Sequence, residues 1–485
     1  MTKLRYIDDD IVRVYKFGKE HKKENLLATL FWGDNIQVVE KLGDYWKLDF
    51  TKRIWNPEIN RYEWVKFDAE IPAETQFRED PILKVRFVDV GQGDAAIIES
   101  PQGKIVLLDG GEGDHLRHYV SGSWAHILRF QSFEVEAIVI THGDADHFAG
   151  LTKLLNATRG SDRPMVNVKR VYHSGLVKAP SSVKVAEIFG KSKKKNGRRY
   201  VVDLVDDQRT VPDSRLNTPF KVWKKALNNL TAKNPSLEVQ RLAYGDHNAF
   251  DFLVKEGIAI QVLGPIVEEV DGLPALPYLH GESGGYSAGH TVNGHSIVLK
   301  LVYGNVRFLL GADLNAESEA GLLERARTDN LSLSSEVLKV PHHGSADFTP
   351  QMLEAVRPTV SIVSSGDESE SREYIHPRAG LIGALGKYSN QTVEKPLIYV
   401  TEMVAFFKRV GPAIIREITE AGNESNKKIE TSNAYIKTTF GIVHVRTNGE
   451  RVLVVTHGGK PDQKESYAFK VDKQGKITFE ETKVI

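Results

Sequence analysis

The sequence predicts a layered domain of the α/β or α+β class, and two features of the pattern indicate it. Short apolar runs that end at a glycine- or aspartate-rich turn occur at LKVRFVDVGQGDAAIIE, GKIVLLDGG and EAIVITHGD. Segments with helical periodicity follow such runs, as in HFAGLTKLLNA, AESEAGLLERAR and TPQMLEAVR. Strands that alternate with helices are typical of domains in which helices cover the faces of a sheet.

The first 78 residues have a different character. Four of the six tryptophans fall within the first 64 residues, at Trp32, Trp46, Trp55 and Trp64. Apolar and polar residues alternate here around turn signals, which predicts strands. We expect residues 1–78 to form a small β-rich domain, either a Src-homology-like barrel or an extra sheet packed on the main domain.

The main domain is predicted at 82–425, with a less regular insertion at about 155–255. The insertion contains the charge run KSKKKNGRRY (Lys191–Tyr200), which predicts a solvated loop or, in a nucleic-acid enzyme, a contact with phosphates. The Gly/Ser-rich segment Pro277–Ser296 predicts a mobile loop. Residues 427–485 predict a β-hairpin extension, because two alternating runs flank Asn448-Gly449, a favoured hairpin turn.

Composition narrows the chemistry. The 485 residues include no cysteine, and the formal net charge is zero. Disulfides, thiolate catalysis and cysteine-ligated zinc are therefore excluded, and any metal must be held by His, Asp and Glu. A neutral net charge excludes a uniformly basic nucleic-acid binder but allows a local basic stripe. Because the sequence shows neither an apolar signal core nor a run near the roughly 20 apolar residues of a membrane span, we expect a cytoplasmic protein without membrane contact.

The densest group of ligand-type side chains lies in THGDADHFAG, directly after the predicted strand EAIVI. It contains His142, Asp144, Asp146 and His147. Carboxylates crowded together repel one another unless a cation neutralises them. An exposed acidic turn with incidental histidines is the alternative, but similar residues follow other predicted strands.

Those other residues are expected at the same edge of the fold. Each of them follows an apolar run: Asp109 in LLDGG, Asp313 in FLLGADLN, His342 and His343 in KVPHHGS, and His376 in EYIHP. In layered α/β domains the carboxyl ends of the strands form the edge where functional sites lie. The sequence therefore predicts one shared metal site at this edge.

These motifs resemble a known family. THGDADH is similar to the HxHxDH signature of metallo-β-lactamase-fold hydrolases. The ordered series DVGQGDAAII, LLDGG, THGDADHFAGL, FLLGADL, LKVPHHGS and SSG...HP resembles the soluble hydrolase domain of ComEC-type DNA-uptake proteins, from about residue 82 to 400. The resemblance implies an α+β fold with four αββα layers, flanked by the small N-terminal β domain and the C-terminal β-rich extension.

The resemblance also implies a role for each motif residue. His142 and Asp144 would bind one metal ion, Asp146 and His147 the second, and Asp313 would bridge the two, with His343 as the late histidine ligand. Asp146 would also orient the nucleophile. Asp109 would brace the metal-binding turn, His342 would orient a ligand or touch substrate, and His376 would contact phosphate or donate a proton.

Two positions depart from the pattern. Asp144 stands where the family usually has a second histidine, and this hard oxygen ligand favours manganese somewhat over zinc for the two expected divalent ions. Many family members have a further histidine ligand before the strand that corresponds to SIVLKL. Here the segment reads HTVNGHS, so Asn293 and His295 are both candidates, and a packing role for His295 stays open.

The resemblance implies metal-dependent hydrolysis of DNA, with single-stranded DNA favoured. Two divalent ions can lower the pKa of a bound water and neutralise charge that develops at phosphorus. The sequence contains no membrane channel, so we expect a stand-alone nuclease that acts against foreign DNA under the control of a protein partner. Two alternatives remain: a hydrolase of small phosphodiesters, lactones or thioesters, and a non-catalytic binding module with a relic site.

Overall fold

The computed structural model describes residues 3–480, with gaps at 57, 59–60, 92, 160–162, 282–283, 366–375, 391–395, 402–406, 420–426, 438–440 and 458–465. Among the described helices, none combines the length and the apolar character that crossing a membrane requires. The predicted domain boundary near residue 425 lies outside the described residues.

The N-terminal residues form one antiparallel sheet. Its strands are β1 (Lys3–Ile7), β2 (Ile11–Lys16), β3 (Leu26–Phe31), β4 (Asn35–Leu42), β5 (Tyr45–Asn56), β6 (Arg61–Pro72) and β7 (Phe77–Arg78), and a 3-10 turn spans Lys23–Asn25. The strand order is β3-β2-β6-β5-β4-β1-β7. Alternate residues of these strands, such as Val12 and Val14 in β2, bury one face in a separate core.

Residues 83–241 alternate strands and helices. The elements are β8 (Leu83–Val88), β9 (Ala96–Glu99), β10 (Ile105–Leu108), α1 (His115–Ser123), α2 (Ala125–Leu128), β11 (Phe133–Ile140), α3 (Ala145–Leu155), β12 (Thr158–Arg159), β13 (Arg163–Pro164), β14 (Val166–His173), β15 (Ser192–Lys195), β16 (Arg198–Val201), α4 (Thr218–Lys233) and β17 (Glu238–Arg241). Short 3-10 turns lie at Val185–Glu187, Gln208–Thr210 and Asp213–Arg215.

Residues 247–400 repeat the alternation. The elements are β18 (Ile258–Gly264), β19 (Glu268–Val270), β20 (Leu273–Pro277), α5 (Ala288–Gly294), β21 (Val298–Tyr303), β22 (Val306–Leu310), α6 (Ala316–Thr328), β23 (Val337–Lys339), α7 (Pro350–Val356), β24 (Val360–Val363), α8 (Ala379–Tyr388) and β25 (Leu397–Val400). 3-10 segments occupy His247–Glu256 and Pro341–Gly344.

The remaining elements are strands: β26 (Phe407–Thr419), β27 (Lys427–Lys437), β28 (Ile442–Thr447), β29 (Arg451–His457), β30 (Ser466–Val471) and β31 (Ile477–Phe479). β28 and β29 pair as a hairpin around Asn448-Gly449, as the sequence predicts. β28 also pairs with β8, so these last four strands extend the main sheet. Every residue of β8 and of β28 is buried. Because buried backbone N–H and C=O groups need hydrogen-bond partners, each strand pairs with a neighbour along both of its edges.

Two large sheets face each other. One has ten strands in the order β17-β14-β11-β10-β9-β8-β28-β29-β30-β31, and the other has six in the order β18-β21-β22-β23-β24-β25. Phe87 and Val139 of the first sheet and Phe308 of the second share one apolar core. Phe148 of α3 and Trp223 of α4 pack on the other face of the ten-stranded sheet, and α6, α7 and α8 pack on the other face of the six-stranded one. The chain therefore has a mixed α+β fold.

The segment that the sequence marks as a less regular insertion contributes to the main sheet. β14 and β17 pair in parallel within the ten-stranded sheet, and α4 covers it. The charge run Lys191–Tyr200 is not a loop: β15 and β16 form a hairpin. Asn196 and Gly197 both have positive φ, 50° and 80°, which suits a two-residue Asn-Gly turn. The predicted loop Pro277–Ser296 includes α5, and the Ser287 side chain accepts the His290 N–H at its start.

The N-terminal sheet packs against the main domain. Phe31 and Trp32 bury their side chains with Leu453 of β29. The Arg446 guanidinium donates to the Trp32 carbonyl (2.7 Å) and pairs with Asp34 (2.9 Å). The contact between the two regions thus combines apolar burial with a buried ion pair.

Candidate metal centre

Strand ends bring the predicted site residues together. Asp109 follows β10 and His142 follows β11, and these two strands are parallel neighbours. Asp313 follows β22 and His343 follows β23, which are also parallel neighbours. Because parallel strands end at the same edge of a sheet, all four side chains reach one place between the two sheets.

The turn between β11 and α3 presents the next two residues. Asp146 and His147 lie in the first turn of α3. The neighbouring turn between β8 and β9 approaches this helix closely, because Gly93 has a φ of 93° and a Cβ there would lie 1.7 Å from the Asp146 carbonyl oxygen. A glycine is therefore required at this contact.

Three imidazoles surround the Asp313 carboxylate. From its Oδ2 the Nε2 atom of His343 is 3.1 Å away, that of His147 is 3.4 Å away and that of His142 is 3.9 Å away. Asp146 Oδ2 lies 3.8 Å from His147 Nε2. Two ligand groups follow, with all ligand atoms of a group within 4.8 Å of one another: His142, His147 and Asp313, and Asp146, His147 and His343.

The orientation of the three rings fits a metal ion. Each ring contacts a neighbouring oxygen through Nδ1: His142 with the Thr141 hydroxyl (3.1 Å), His147 with Asp109 (2.8 Å) and His343 with the Ser364 carbonyl (2.9 Å). Each Nε2 is buried and has no hydrogen-bond partner. Histidines that ligate metals are held in this way, with one nitrogen fixed by an outer partner and the other directed at the ion. The donor set therefore fits a divalent cation.

Electrostatics supports the same interpretation. Burial alone would lower the pKa of His343, but Asp313 and Asp94 raise it to about 10. Burial also opposes the charge of His147, yet Asp313 and Asp109 hold its pKa well above the usual value. The cluster thus has more negative charge than its lysines and arginines balance, which a bound cation would relieve.

Asp94 belongs to the site although the sequence analysis did not single it out. Its Oδ1 lies 3.3 Å from His343 Nδ1, and its other oxygen pairs with Lys339. Burial would raise the pKa of Asp94, but Lys339 and His343 lower it. It forms a further group of possible ligands with Asp313 and His343. The sequence feature that could have indicated Asp94 is its position in GQGD, in the turn that follows the apolar strand β8.

Asp144, which is expected to ligate a metal, lies beside the cluster and faces a lysine. Among the described residues it belongs to none of the possible ligand groups. Its Oδ1 pairs with the Lys178 ammonium, and its Oδ2 lies 3.9 Å from His142 Nε2. The Lys178 ammonium thus supplies positive charge at this carboxylate.

Asn293 and His295, the two candidates for a further ligand, have different surroundings at the end of α5. Asn293 lines the cleft, and with its amide oxygen turned to His342 Nε2 (3.2 Å) its amide nitrogen donates to Asp144 Oδ2 (3.0 Å). His295 instead donates from Nε2 to the Pro277 carbonyl (2.7 Å), and burial lowers its pKa to about 4. The structure thus gives His295 a packing role.

The cluster opens into a cleft of about 630 Å³, whose lining includes Asp146, His342 and His376. The rings of His342 and His376 lie 6.0 Å apart. Burial and the neighbouring His342 lower the pKa of His376 to about 4, so its ring is neutral near pH 7. Both residues line the cleft beside the cluster, and their contact with substrate stays a prediction.

Comparison with known proteins agrees with this geometry. Residues 88–215 match the Metallo-beta-lactamase superfamily. This part of the chain is therefore similar to metallo-beta-lactamase domains, which indicates a metal-dependent hydrolase. The match includes Asp94, Asp109 and the THGDADH turn, while Asp313 and His343 lie beyond it. No curated protein matches the chain.

Proposed function

We propose that this metallo-beta-lactamase domain is a phosphodiesterase that hydrolyses DNA, with single-stranded DNA preferred. The observation that carries the proposal is the convergence of three unpartnered, buried Nε2 atoms on the Asp313 carboxylate at the floor of an open cleft. The order of motifs shared with ComEC-type hydrolase domains supports DNA as the substrate.

Two groups that share His147 would hold at least one divalent cation, manganese or zinc: Asp146 with His147 and His343, and His142 with His147 and Asp313. When bound, such an ion lowers the pKa of a water molecule and offsets negative charge that develops on a phosphoryl group. The Asp146 carboxylate, a third exposed at the cleft, accepts a hydrogen bond from the attacking water and orients it. Asp109 keeps a proton on His147 Nδ1, which leaves Nε2 free to act as a donor atom.

The opposite wall of the cleft would bind the phosphodiester. His376 provides a neutral imidazole N–H group, since burial lowers its pKa to about 4, whereas His342 donates its Nε2 proton to the Asn293 amide oxygen and presents Nδ1 as an acceptor. A neutral N–H donates to a non-bridging oxygen without giving up its proton. His376 would contact the leaving-group side as a hydrogen-bond donor.

The β15–β16 hairpin offers a path for a longer nucleic acid. Its Arg199 N–H donates to the Tyr286 hydroxyl (3.2 Å), next to the Ser287–His290 wall of the cleft. Lys193 pairs with Asp271 and Arg198 pairs with Glu317, but Lys191 and Lys194 are exposed. Exposed lysines on a hairpin that contacts the segment next to the cleft wall favour a chain of phosphates over a single small substrate.

One observation favours a second candidate, a hydrolase of small phosphodiesters such as cyclic nucleotides, or of lactones or thioesters. The cleft volume of about 630 Å³ lies within the range of small-ligand pockets. A substrate of this kind would not need the exposed lysines of the hairpin. Replacing Lys191 and Lys194 by Glu therefore separates the candidates: DNA cleavage falls, whereas cleavage of a small diester is unchanged.

The proposal includes a cytoplasmic role in defence against foreign DNA, with a protein partner that controls the nuclease by activating it. An unrestrained nuclease would damage the DNA of its own cell. The purified chain alone is expected to cleave DNA slowly and to accelerate with its partner. Full-rate digestion by the isolated chain would contradict the regulatory part of the proposal.

The decisive experiment is an assay matrix with one matched control. The wild type, Asp146→Ala and Asp251→Ala are incubated with linear, circular, single- and double-stranded DNA in manganese, in zinc and in chelator. Asp251 is exposed in the 3-10 segment His247–Glu256, which makes it a suitable control. We expect cleavage by the wild type and Asp251→Ala only with metal, and none by Asp146→Ala. Cleavage in chelator, or equal cleavage by Asp146→Ala, would refute the proposal.

A further inference from the structure

Lys178 has a fixed place beside the metal-binding turn. The segment that carries it follows β14, and its neighbours Leu176 and Val177 are buried. The Asn217 N–H donates to the Lys178 carbonyl (2.8 Å), at the start of α4. A Cβ at Gly143 would lie 3.4 Å from the Leu176 carbonyl oxygen, so this segment touches the turn between His142 and Asp144 directly.

The Lys178 ammonium lies beside Asp144, one of the two residues that are expected to bind the first metal ion. It pairs with Asp144 Oδ1, and both side chains are mostly buried, with 19% and 26% exposed. With its amide oxygen turned to His342, Asn293 donates from its amide nitrogen to the other carboxylate oxygen, Asp144 Oδ2 (3.0 Å). Both oxygens of this carboxylate therefore already accept from groups on other elements. A divalent ion could bind Asp144 only by displacing at least one of them.

The residues expected to bind the second metal ion have no lysine or arginine beside them among the described residues. Within the described part of the chain, no lysine or arginine nitrogen lies within 4 Å of Asp146 or Asp313, whereas Lys339 is paired with Asp94. Among the described residues, the charged or chargeable groups near these two carboxylates are the imidazoles of His142, His147 and His343. One divalent cation balances the two carboxylates that lack a lysine.

We propose that Lys178 takes the place of one of the two expected metal ions, so that the chain binds a single divalent cation at Asp146, His147, Asp313 and His343. The inference rests on the proposed metal-dependent function and replaces the pair of ions that the family resemblance implies. Lys178 then acts as a permanent positive charge on the Asp144 side. The proposed site therefore combines one divalent ion with the neighbouring Lys178 ammonium group.

Metal stoichiometry tests this directly. The full-length chain is titrated with Mn²⁺ by isothermal calorimetry, and the product is examined by native mass spectrometry and electron paramagnetic resonance. We expect one ion per chain and the six-line signal of isolated Mn²⁺. Lys178→Met should bind a second ion through Asp144 and His142, and the spectrum should show coupling between the two ions.

Two further variants keep the test interpretable. Lys178→Arg retains the charge and should still bind one ion. Lys169→Met removes a lysine that pairs with Glu136 on a neighbouring strand, away from the cluster, and should also bind one ion. If Lys178→Met fails to fold, as judged by circular dichroism, the wild-type count alone decides.

The possible failures are distinct. A wild type that binds two Mn²⁺ ions with coupling would overturn the role of Lys178 and leave the metal-dependent function intact. A folded Lys178→Met that still binds one ion would overturn it as well. A wild type that binds no divalent ion would refute the proposed function together with this inference.

Discussion

The Asp109 carboxylate lies 2.8 Å from His147 Nδ1 in a fully buried contact, and it also accepts hydrogen bonds from the Thr141 N–H (2.8 Å) and hydroxyl (2.6 Å). One carboxylate thus ties the end of β11 to the first turn of α3. The contact fixes both the ring orientation of His147 and the nitrogen that carries its proton.

Asp109→Asn is expected to weaken metal binding by about 10- to 100-fold. The amide NH₂ would donate to His147 Nδ1, which moves the ring proton to Nε2 and removes the lone pair that faces the cluster. Calorimetric titration with Mn²⁺ measures the loss. Asp251→Asn, at an exposed position, is the control and should bind as the wild type does. Unchanged affinity in folded Asp109→Asn would show that Asp109 does not position His147.

Gly150→Ala in α3 is expected to destabilise the fold although alanine favours helices. A Cβ at this position would lie 2.0 Å from the Gly110 carbonyl oxygen, where the turn after β10 crosses the helix. We expect a loss of about 1–3 kcal/mol, typical of overpacking. Gly383→Ala in α8, with no atom within 4 Å of the added Cβ, should be neutral or stabilising by up to about 1 kcal/mol. Urea unfolding of both variants checks the contrast, and equal stabilities would contradict it.

Arg446→Met is expected to destabilise the chain by about 3 kcal/mol, because Lys84 is then the one charged partner of Asp34 among the described residues. The Arg446 side chain is 3% exposed and lies 2.9 Å from Asp34, whose pKa it lowers against the effect of burial. Arg327→Met removes an arginine that is 77% exposed and should change stability little. Equal unfolding free energies for the two variants would exclude a structural role for the buried pair.

Glu319 predicts a pH dependence of stability. It is almost fully buried and accepts from the Thr349 N–H (2.5 Å) and hydroxyl (2.7 Å), and burial raises its pKa to about 7. The raised pKa means that the folded state holds the proton more tightly than the unfolded state. The stability that this provides is complete below about pH 4.5 and is lost as pH rises through 7.

Glu319→Gln should therefore be more stable than the wild type at pH 8, by about 3 kcal/mol, and nearly equal to it at pH 4. Denaturant unfolding across this pH range gives the difference. The exposed Glu324→Gln should follow the wild type at every pH. If the unfolding free energy of Glu319→Gln changed with pH in parallel with that of the wild type, the Glu319 carboxyl would not titrate with a raised pKa.

Sequence patterns were sufficient where the information is local. Apolar runs that end in Asp or His placed Asp109, His142, Asp313 and His343 at strand ends, since side chains that follow parallel strands meet at one edge. The Asn448-Gly449 hairpin was predicted for the same reason. The matching Asn196-Gly197 turn carried an equal signal, but the surrounding lysines and arginines obscured it.

Contacts between residues far apart in the sequence could not be predicted from local sequence patterns. A single lysine such as Lys178 has no spacing that marks it, and only the fold brings it to Asp144. The pairing of β28 with β8 likewise depends on burial of both strands, which no local window contains. Asn293 and His295 are two positions apart, and the orientation of α5 alone separates them.

The most direct test of the metal centre is anomalous diffraction at the manganese or zinc absorption edge from crystals of the full chain grown with that metal. We predict a strong peak about 2.0–2.3 Å from His147 Nε2, His343 Nε2 and an Asp313 oxygen. Hydrolysis of DNA by the same preparation without any anomalous peak in the cleft would contradict the account.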